Sequence, residues 1–236
     1  MLLPDDPEAV AAALPDVPRW VETRSLLRSG KGTLMIGGDG DGGVVMDTQL
    51  PSGAVIGRAD PALLLDVLAD VAGDFELIVQ MDALTEAQEA LPGWIVAQAI
   101  LHSPARPYEG SGQAEPGVVV SEPPQERWLA QLPGEVRRYA TLAYAVAVRV
   151  VEGNVVAACQ AGDVTETLWD VGIDTLQGHR RRGYATACFQ ALAAHMASQG
   201  RQPVWGAYED YRPSLRLAAK LGFRPVERVA VMSPPP

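Results

Sequence analysis

Cysteine is scarce in this chain. Cys159 and Cys188 are the two in 236 residues, and both sit among apolar neighbours. That excludes a disulfide scaffold or a cysteine-rich metal site and points to buried, reduced thiols. No uninterrupted apolar run reaches the ~20 residues of a membrane helix. The opening MLLPDDPEAV has no basic segment ahead of an apolar one, so it does not read as a signal peptide. Positive charge is also short: 19 Lys+Arg stand against 29 Asp+Glu, a net charge of −10. Such a balance disfavours nonspecific nucleic-acid binding and suits a cationic or amine-bearing small substrate. The composition that remains, 47% hydrophobic and 20% charged, is globular, with room for one large domain or two small ones. A cytoplasmic protein with no membrane or nucleic-acid partner is the expectation; the sequence leaves open whether it forms a homodimer.

The strongest break is the polar, proline- and glycine-rich stretch HSPARPYEGSGQAEPG at residues 102–117, which reads as a linker. It predicts domains over 1–112 and 117–236, without a residue-level repeat between them. In the first half, helices are expected over 8–14, 19–27 and 61–72. A hairpin is expected from 33–36 and 44–46 around a glycine-rich turn, a strand over 75–80, and a further apolar segment over 94–101. In the second half, strands are expected over 142–151, 155–159, 168–176, 204–208 and 223–232. Helices are expected over 182–198 and 213–221, the latter stopped by Gly222. This is a mixed α/β pattern. In the strand over 168–176, Trp169, Val171, Ile173 and Thr175 share one face, and Asp170, Gly172 and Asp174 the other.

The segment that carries chemistry is VGIDTLQGHRRRGYA, from Val171 to Ala185. A strand runs into a basic turn, and the turn opens a long amphipathic helix. Backbone N–H groups at a helix start are unpaired, and the helix dipole is positive there. Gly183 lets the backbone approach a ligand, Ala185 keeps the next turn clear, and Arg180, Arg181 and Arg182 add charge, which together suit a pyrophosphate. A solvated, arginine-rich helix start is the plainer reading of the tripeptide alone. Neither a Walker motif nor a dinucleotide fingerprint is present: Gly30-Lys31 is followed by Gly32, and position 25 is Ser25.

Arg180-Arg181-Arg182-Gly183-Tyr184-Ala185 resembles the Arg/Gln-x-x-Gly-x-Gly/Ala signature of the GNAT N-acetyltransferase superfamily. Ser214 to Phe223, SLRLAAKLGF, resembles that family's later motif, in which a helix ends in Leu-Gly-Phe. The resemblance covers roughly residues 117–232, and the first half resembles, more weakly, the degenerate N-terminal half of two-part GNAT proteins. It implies an α/β fold in which acetyl-CoA inserts into a V-shaped opening between two central strands. It further implies that the backbone of Ile173, Asp174 and Thr175 pairs with the pantetheine arm and that N–H groups from Arg180 to Ala185 hold the pyrophosphate. Ser214 would contact the coenzyme or cap its own helix. The chain departs from the family pattern at Tyr211, where asparagine is frequent, and at Ala218, where a tyrosine often protonates the leaving thiolate.

On this resemblance the expected reaction is direct transfer of an acetyl group from acetyl-CoA to the primary amine of a small molecule or peptide in a ternary complex. A general base must take a proton from the amine. Asp170 is the first candidate, because the family often places an acid on this strand; a hydrogen-bonded structural carboxylate is its competing role. Glu166 is second, on the same face if strand periodicity extends to it. Tyr208 and Tyr211 are the candidate acids, with packing as their alternative. His179 reads as a loop residue and His195 as structural, and Cys188 has no paired base that would support an acetyl-cysteine route. A GNAT-like domain that binds CoA as a sensor or scaffold is the rival reading. RNA binding through the arginines is a third, disfavoured by the acidic charge.

Overall fold

The computed structural model describes residues 2–109 and 114–235; residues 110–113 of the linker lie outside the described residues. The chain divides into two compact, discontinuous units. Unit 1 comprises 1–101, 207–212 and 225–236; unit 2 comprises 102–206 and 213–224. The first break falls at the linker, but this division differs from a linear cut at 112/117, because the last residues group with the first hundred.

Unit 1 begins with helices α1 (Pro7–Ala13), whose first turn is capped by Asp6, and α2 (Val21–Ser29). Buried Arg24 of α2 donates to the carbonyls of Ala11 and Leu14 where α1 ends. Strands β1 (Gly32–Ile36) and β2 (Gly42–Asp47) form the expected hairpin, in register from Gly32↔Asp47 to Ile36↔Gly43. Strand β3 (Ser52–Gly57), which the sequence reading did not anticipate, pairs antiparallel with β2. Helix α3 (Pro61–Val67) is shorter than its leucine spacing predicts, ending before the turn-forming stretch of Asp70, Gly73 and Asp74. It leads to β4 (Glu76–Gln80), parallel to β3, and then to α4 (Leu84–Ala90) and β5 (Ile95–Pro104). A core of Val44, Val55, Leu64, Leu77 and Val79 lies between the strands and helices α3 and α4.

Unit 2 opens with β6 (Val118–Ser121), α5 (Glu126–Leu129) and α6 (Gly134–Leu142). The strand expected from residue 142 therefore starts later, as β7 (Ala145–Val151), because residues up to Leu142 close helix α6. Strands β8 (Asn154–Val164) and β9 (Leu168–Thr175) continue an antiparallel series in the order β6-β7-β8-β9. Helix α7 (Tyr184–Ser198) then crosses to β10 (Gln202–Tyr208), which runs parallel to β9. Helix α8 (Arg212–Lys220) and strand β11 (Phe223–Ser233) follow; β11 from residue 225 belongs to unit 1, where its residues 229–232 pair antiparallel with β4.

The two faces of the β8–β9 ribbon have different surroundings. On one, Trp169 stacks on Phe189 of α7 with ring centroids 6.2 Å apart, and Phe189 also meets Trp205, Phe223 and Tyr108 edge-on. On the other, Ala158 packs with Val146 and Val148 of β7 against Leu129 of α5, Ala140 of α6 and Leu132 of the turn between those helices. Phe189 is fully buried, and aromatic truncation in a dense core removes both apolar area and the contacts around the resulting cavity. Phe189→Ala is expected to destabilise the protein by about 3–5 kcal/mol, measurable by chemical denaturation; a loss under about 1 kcal/mol would mean that the cluster collapses to refill the space.

Candidate active site

The alternation predicted for β9 is present: Trp169 and Val171 are buried on the α7 face, so Asp170, Gly172 and Asp174 point to the α5–α6 face. The parallel ladder to β10 runs only Gln202↔Leu168, Pro203↔Trp169 and Val204↔Asp170. Both strands continue beyond that point, β9 to Thr175 and β10 to Tyr208. On its other edge β9 stays paired with β8, from Ala161↔Val171 to Ala157↔Thr175. From Val171 onward, then, the edge of β9 that faced β10 has no strand partner among the described residues, and its backbone groups are available to a ligand that presents amides of its own. The last paired position is Asp170.

Beyond β9, a single 3-10 turn (Gln177–His179) delivers the chain to the start of α7. The approach is conformationally unusual: Arg181 has φ +62° and Gly183 φ +84°. A non-glycine residue in the left-handed region carries strain of the order of 1 kcal/mol, and alternation of this kind turns successive N–H groups toward one concavity. Among the described residues no side chain caps α7, and the N–H of Ala187 bonds back to the carbonyl of Gly183. A Cβ at Gly183 would have nothing within 4 Å, so open space lies over the turn. Residues Arg180 to Gly183 are exposed. The three arginines differ in their engagement: Arg180 donates through Nε to the Thr175 carbonyl at 3.1 Å, whereas Arg181 and Arg182 make no ion pair among the described residues.

The acid–base groups are distributed unevenly. Asp170 is half-buried; desolvation, and then the neighbouring carboxylate of Asp163, push its carboxyl up to about 7, against the pull of the Val171 amide. Asp174 is exposed and also raised, by desolvation and by Glu135, with Arg180 opposing. Glu166 does not extend the strand pattern. It is exposed in the turn between β8 and β9, where the register shift between Ala161 and Val164 breaks the alternation. Tyr208 and Tyr211 belong to unit 1; the Tyr208 hydroxyl bonds the Glu76 carboxylate, and Tyr211 is exposed. Ser214 is not an N-cap: its hydroxyl, two residues into α8, accepts from the Trp205 indole at 2.9 Å. His195 bonds Glu122 at 2.6 Å. Burial pushes the Cys188 thiol up to about 12, so it is inert as a nucleophile.

Residues 135–231 match the family model for GNAT acetyltransferases. This region is a GNAT acetyltransferase domain. The likeness in solved structures extends over nearly the whole chain. A GCN5-related N-acetyltransferase-like protein from Streptococcus suis superimposes with TM-score 0.66 at 16% identity, covering 94% of each chain. A protein assigned to the GNAT family from Novosphingobium aromaticivorans gives TM-score 0.66 at 18% identity, over 92% of this chain and 96% of that one. A GCN5-related N-acetyltransferase from Kribbella flavida gives 0.57 at 14%, over 92% and 94%. At these identities the likeness establishes the fold. No curated protein matches the chain. Among the described residues no helix is long and apolar enough to cross a membrane.

Unit 1 contains a comparable crossover, β3–α3–β4, whose parallel ladder also stops early, at Ala54↔Ile78. Its helix start is built differently. The Asp60 carboxylate accepts from the N–H groups of Ala62 and Leu63, and Pro61 occupies the first turn. An anion of the chain's own therefore occupies that helix start, and Pro61 supplies no N–H. The GNAT domain is the half whose helix start remains open.

Proposed function

We propose that this protein is an acetyl-CoA-dependent N-acetyltransferase acting on a primary amine by direct attack in a ternary complex. One observation carries the reading: the β9–β10 ladder ends at Asp170, and the edge freed there leads to an uncapped helix start with Arg181 and Gly183 in left-handed conformations. Backbone groups of Ile173, Asp174 and Thr175 would bind the pantetheine amides. N–H groups from Arg181 to Ala185 would hold the pyrophosphate, and Arg181 and Arg182 would meet the outer phosphates. Arg180, tied to Thr175, fixes the end of β9. When bound, acetyl-CoA supplies a thioester carbonyl, at which the C–N bond forms as the C–S bond breaks and the thiolate leaves to take a proton from solvent. Asp170 stands at the vertex of the opening with a proton affinity suited to neutral pH and receives the proton that the amine releases. Ala218, at the position of the frequent family tyrosine, is fully buried and supplies no acid there.

The test is thiol release from acetyl-CoA with a panel of primary amines, with acetylated product identified by mass. Amine-dependent release at saturating acetyl-CoA is the expected result. Tight CoA binding with no turnover on any amine would favour a sensor or scaffold, for which the buried Ala218 is the supporting observation. Failure to bind CoA would overturn the reading altogether.

A further inference from the structure

The α5–α6 face of the β8–β9 ribbon has a composition that the transfer chemistry alone does not require. Strand register places Gln160 directly opposite Gly172, so Gln160 lies on the same face as Asp170 and Asp174 and between them. Gln160 is 7% exposed, yet its Oε1 is buried and has no hydrogen-bond partner among the described residues. Its amide lies across Gly172: a Cβ there would sit 2.5 Å from Nε2 and 2.8 Å from Cδ. Glycine at 172 thus leaves room for the amide to lie flat on the strand, with an acceptor left to a ligand, since a buried carbonyl oxygen without a donor is costly.

The carboxylates on this face form two groups. Asp163 and Asp170 are half-buried near the vertex, and each raises the cost of ionising the other. Asp174 and Glu135, at the first turn of α6, are exposed and likewise oppose one another. Four residues along β9 separate the two groups, about 13 Å between Cα positions. Arg180, at the rim and held to the Thr175 carbonyl, is the cation that faces Asp174. Two carboxylates against one guanidinium leave the outer pair with a net negative charge that a distal ammonium would offset and a neutral acceptor or a monoamine would not.

From this face, and resting on the acetyltransferase reading above, we infer that the acceptor is a linear aliphatic di- or polyamine. Its reacting amine sits beside Asp170, its chain crosses Gly172 with an N–H donated to Gln160 Oε1, and a distal ammonium lies between Asp174 and Glu135. The step balances as a simple transfer: one N–H is replaced by N-acetyl, the thiol of CoA is released, and the displaced proton passes through Asp170 to solvent. The distal ammonium keeps its proton throughout and contributes to binding alone.

The full chain should be assayed with n-butylamine, 1,4-diaminobutane and spermidine at saturating acetyl-CoA. The expected result is a kcat/KM at least roughly tenfold higher for spermidine or 1,4-diaminobutane than for n-butylamine, the scale of one well-placed ion pair. That preference should shrink as salt rises from low to physiological ionic strength, because the outer pair is exposed. Glu135→Gln, on the protein surface, should reduce the preference several-fold through KM. Gln160→Leu should lower kcat/KM for all three amines, with CoA affinity held. Equal kcat/KM for the monoamine and the polyamines, or a preference unmoved by both Glu135→Gln and salt, would overturn the polyamine assignment while leaving the acetyltransferase intact. Absence of CoA binding would instead sink the reading on which it rests.

Discussion

Asp170→Asn is expected to lower turnover by about 10²–10⁴-fold at neutral pH while making the folded protein more stable under alkaline conditions. Both effects have one origin. The native carboxyl titrates near 7 because it is desolvated and faces Asp163, whereas in the unfolded chain it titrates near the ordinary ~4. The folded state therefore binds the proton more tightly. The stability associated with that proton is fully present below about pH 4 and is lost as pH rises to about 7. Asparagine cannot ionise, so the variant escapes that loss. Since Asp170 is half-buried and partly screened by solvent, the gain at pH 8 should be about 1–3 kcal/mol rather than the full equivalent of the shift. At pH 4 the two proteins should be equally stable. Denaturation midpoints at pH 4, 6 and 8 check the stability arm, and the wild-type pH–rate profile checks the catalytic one: kcat/KM should rise through an apparent pKa near 7. Wild-type turnover in the variant would remove Asp170 as the base, and a uniform destabilisation at every pH would make it a structural hydrogen-bonding carboxylate.

Gly183→Trp is expected to abolish measurable CoA binding, a loss of at least 10²-fold, with a stability cost of the order of 1–2 kcal/mol. The cost comes from placing a side chain at φ +84°, not from collision, because nothing of the protein lies within 4 Å of the new Cβ. The indole would instead fill the space in front of the exposed N–H groups. Calorimetric titration with CoA, paired with a thermal melt, separates the two effects. Retained affinity would move the pyrophosphate site elsewhere; a collapse of the melting transition would show that Gly183 is needed for folding before it is needed for binding.

The turn into α7 was legible because its signals are local: a glycine, a run of arginines and the apolar stripe of the following helix lie within a few residues of each other. The alternation of β9 was legible for the same reason, with Trp169 and Val171 set against Asp170 and Gly172. Helices α5 and α6 were not, because Leu129, Leu132 and Ala140 are too few to give a periodic signal and gain meaning only against Val146 and Val148 across the ribbon. Asp163 was missed, and Glu166 preferred to it, because the irregularity between Ala161 and Val164 changes the phase of the strand. Gln160 did leave a trace, as a polar residue inside the apolar run VVAACQA, but its relation to Gly172 depends on strand register, which no single segment encodes. The grouping of residues 225–236 with the first hundred was equally hidden, since the pairing of Val229 with Gln80 links distant parts of the chain.

The Asp60 carboxylate at the start of α3 bears on stoichiometry. With that helix start already supplied with a negative group, and with Pro61 offering no N–H there, a chain built from two comparable crossovers should saturate at one molar equivalent of coenzyme, with a single-step isotherm. Neutralising Asp60 should leave that equivalence point where it is.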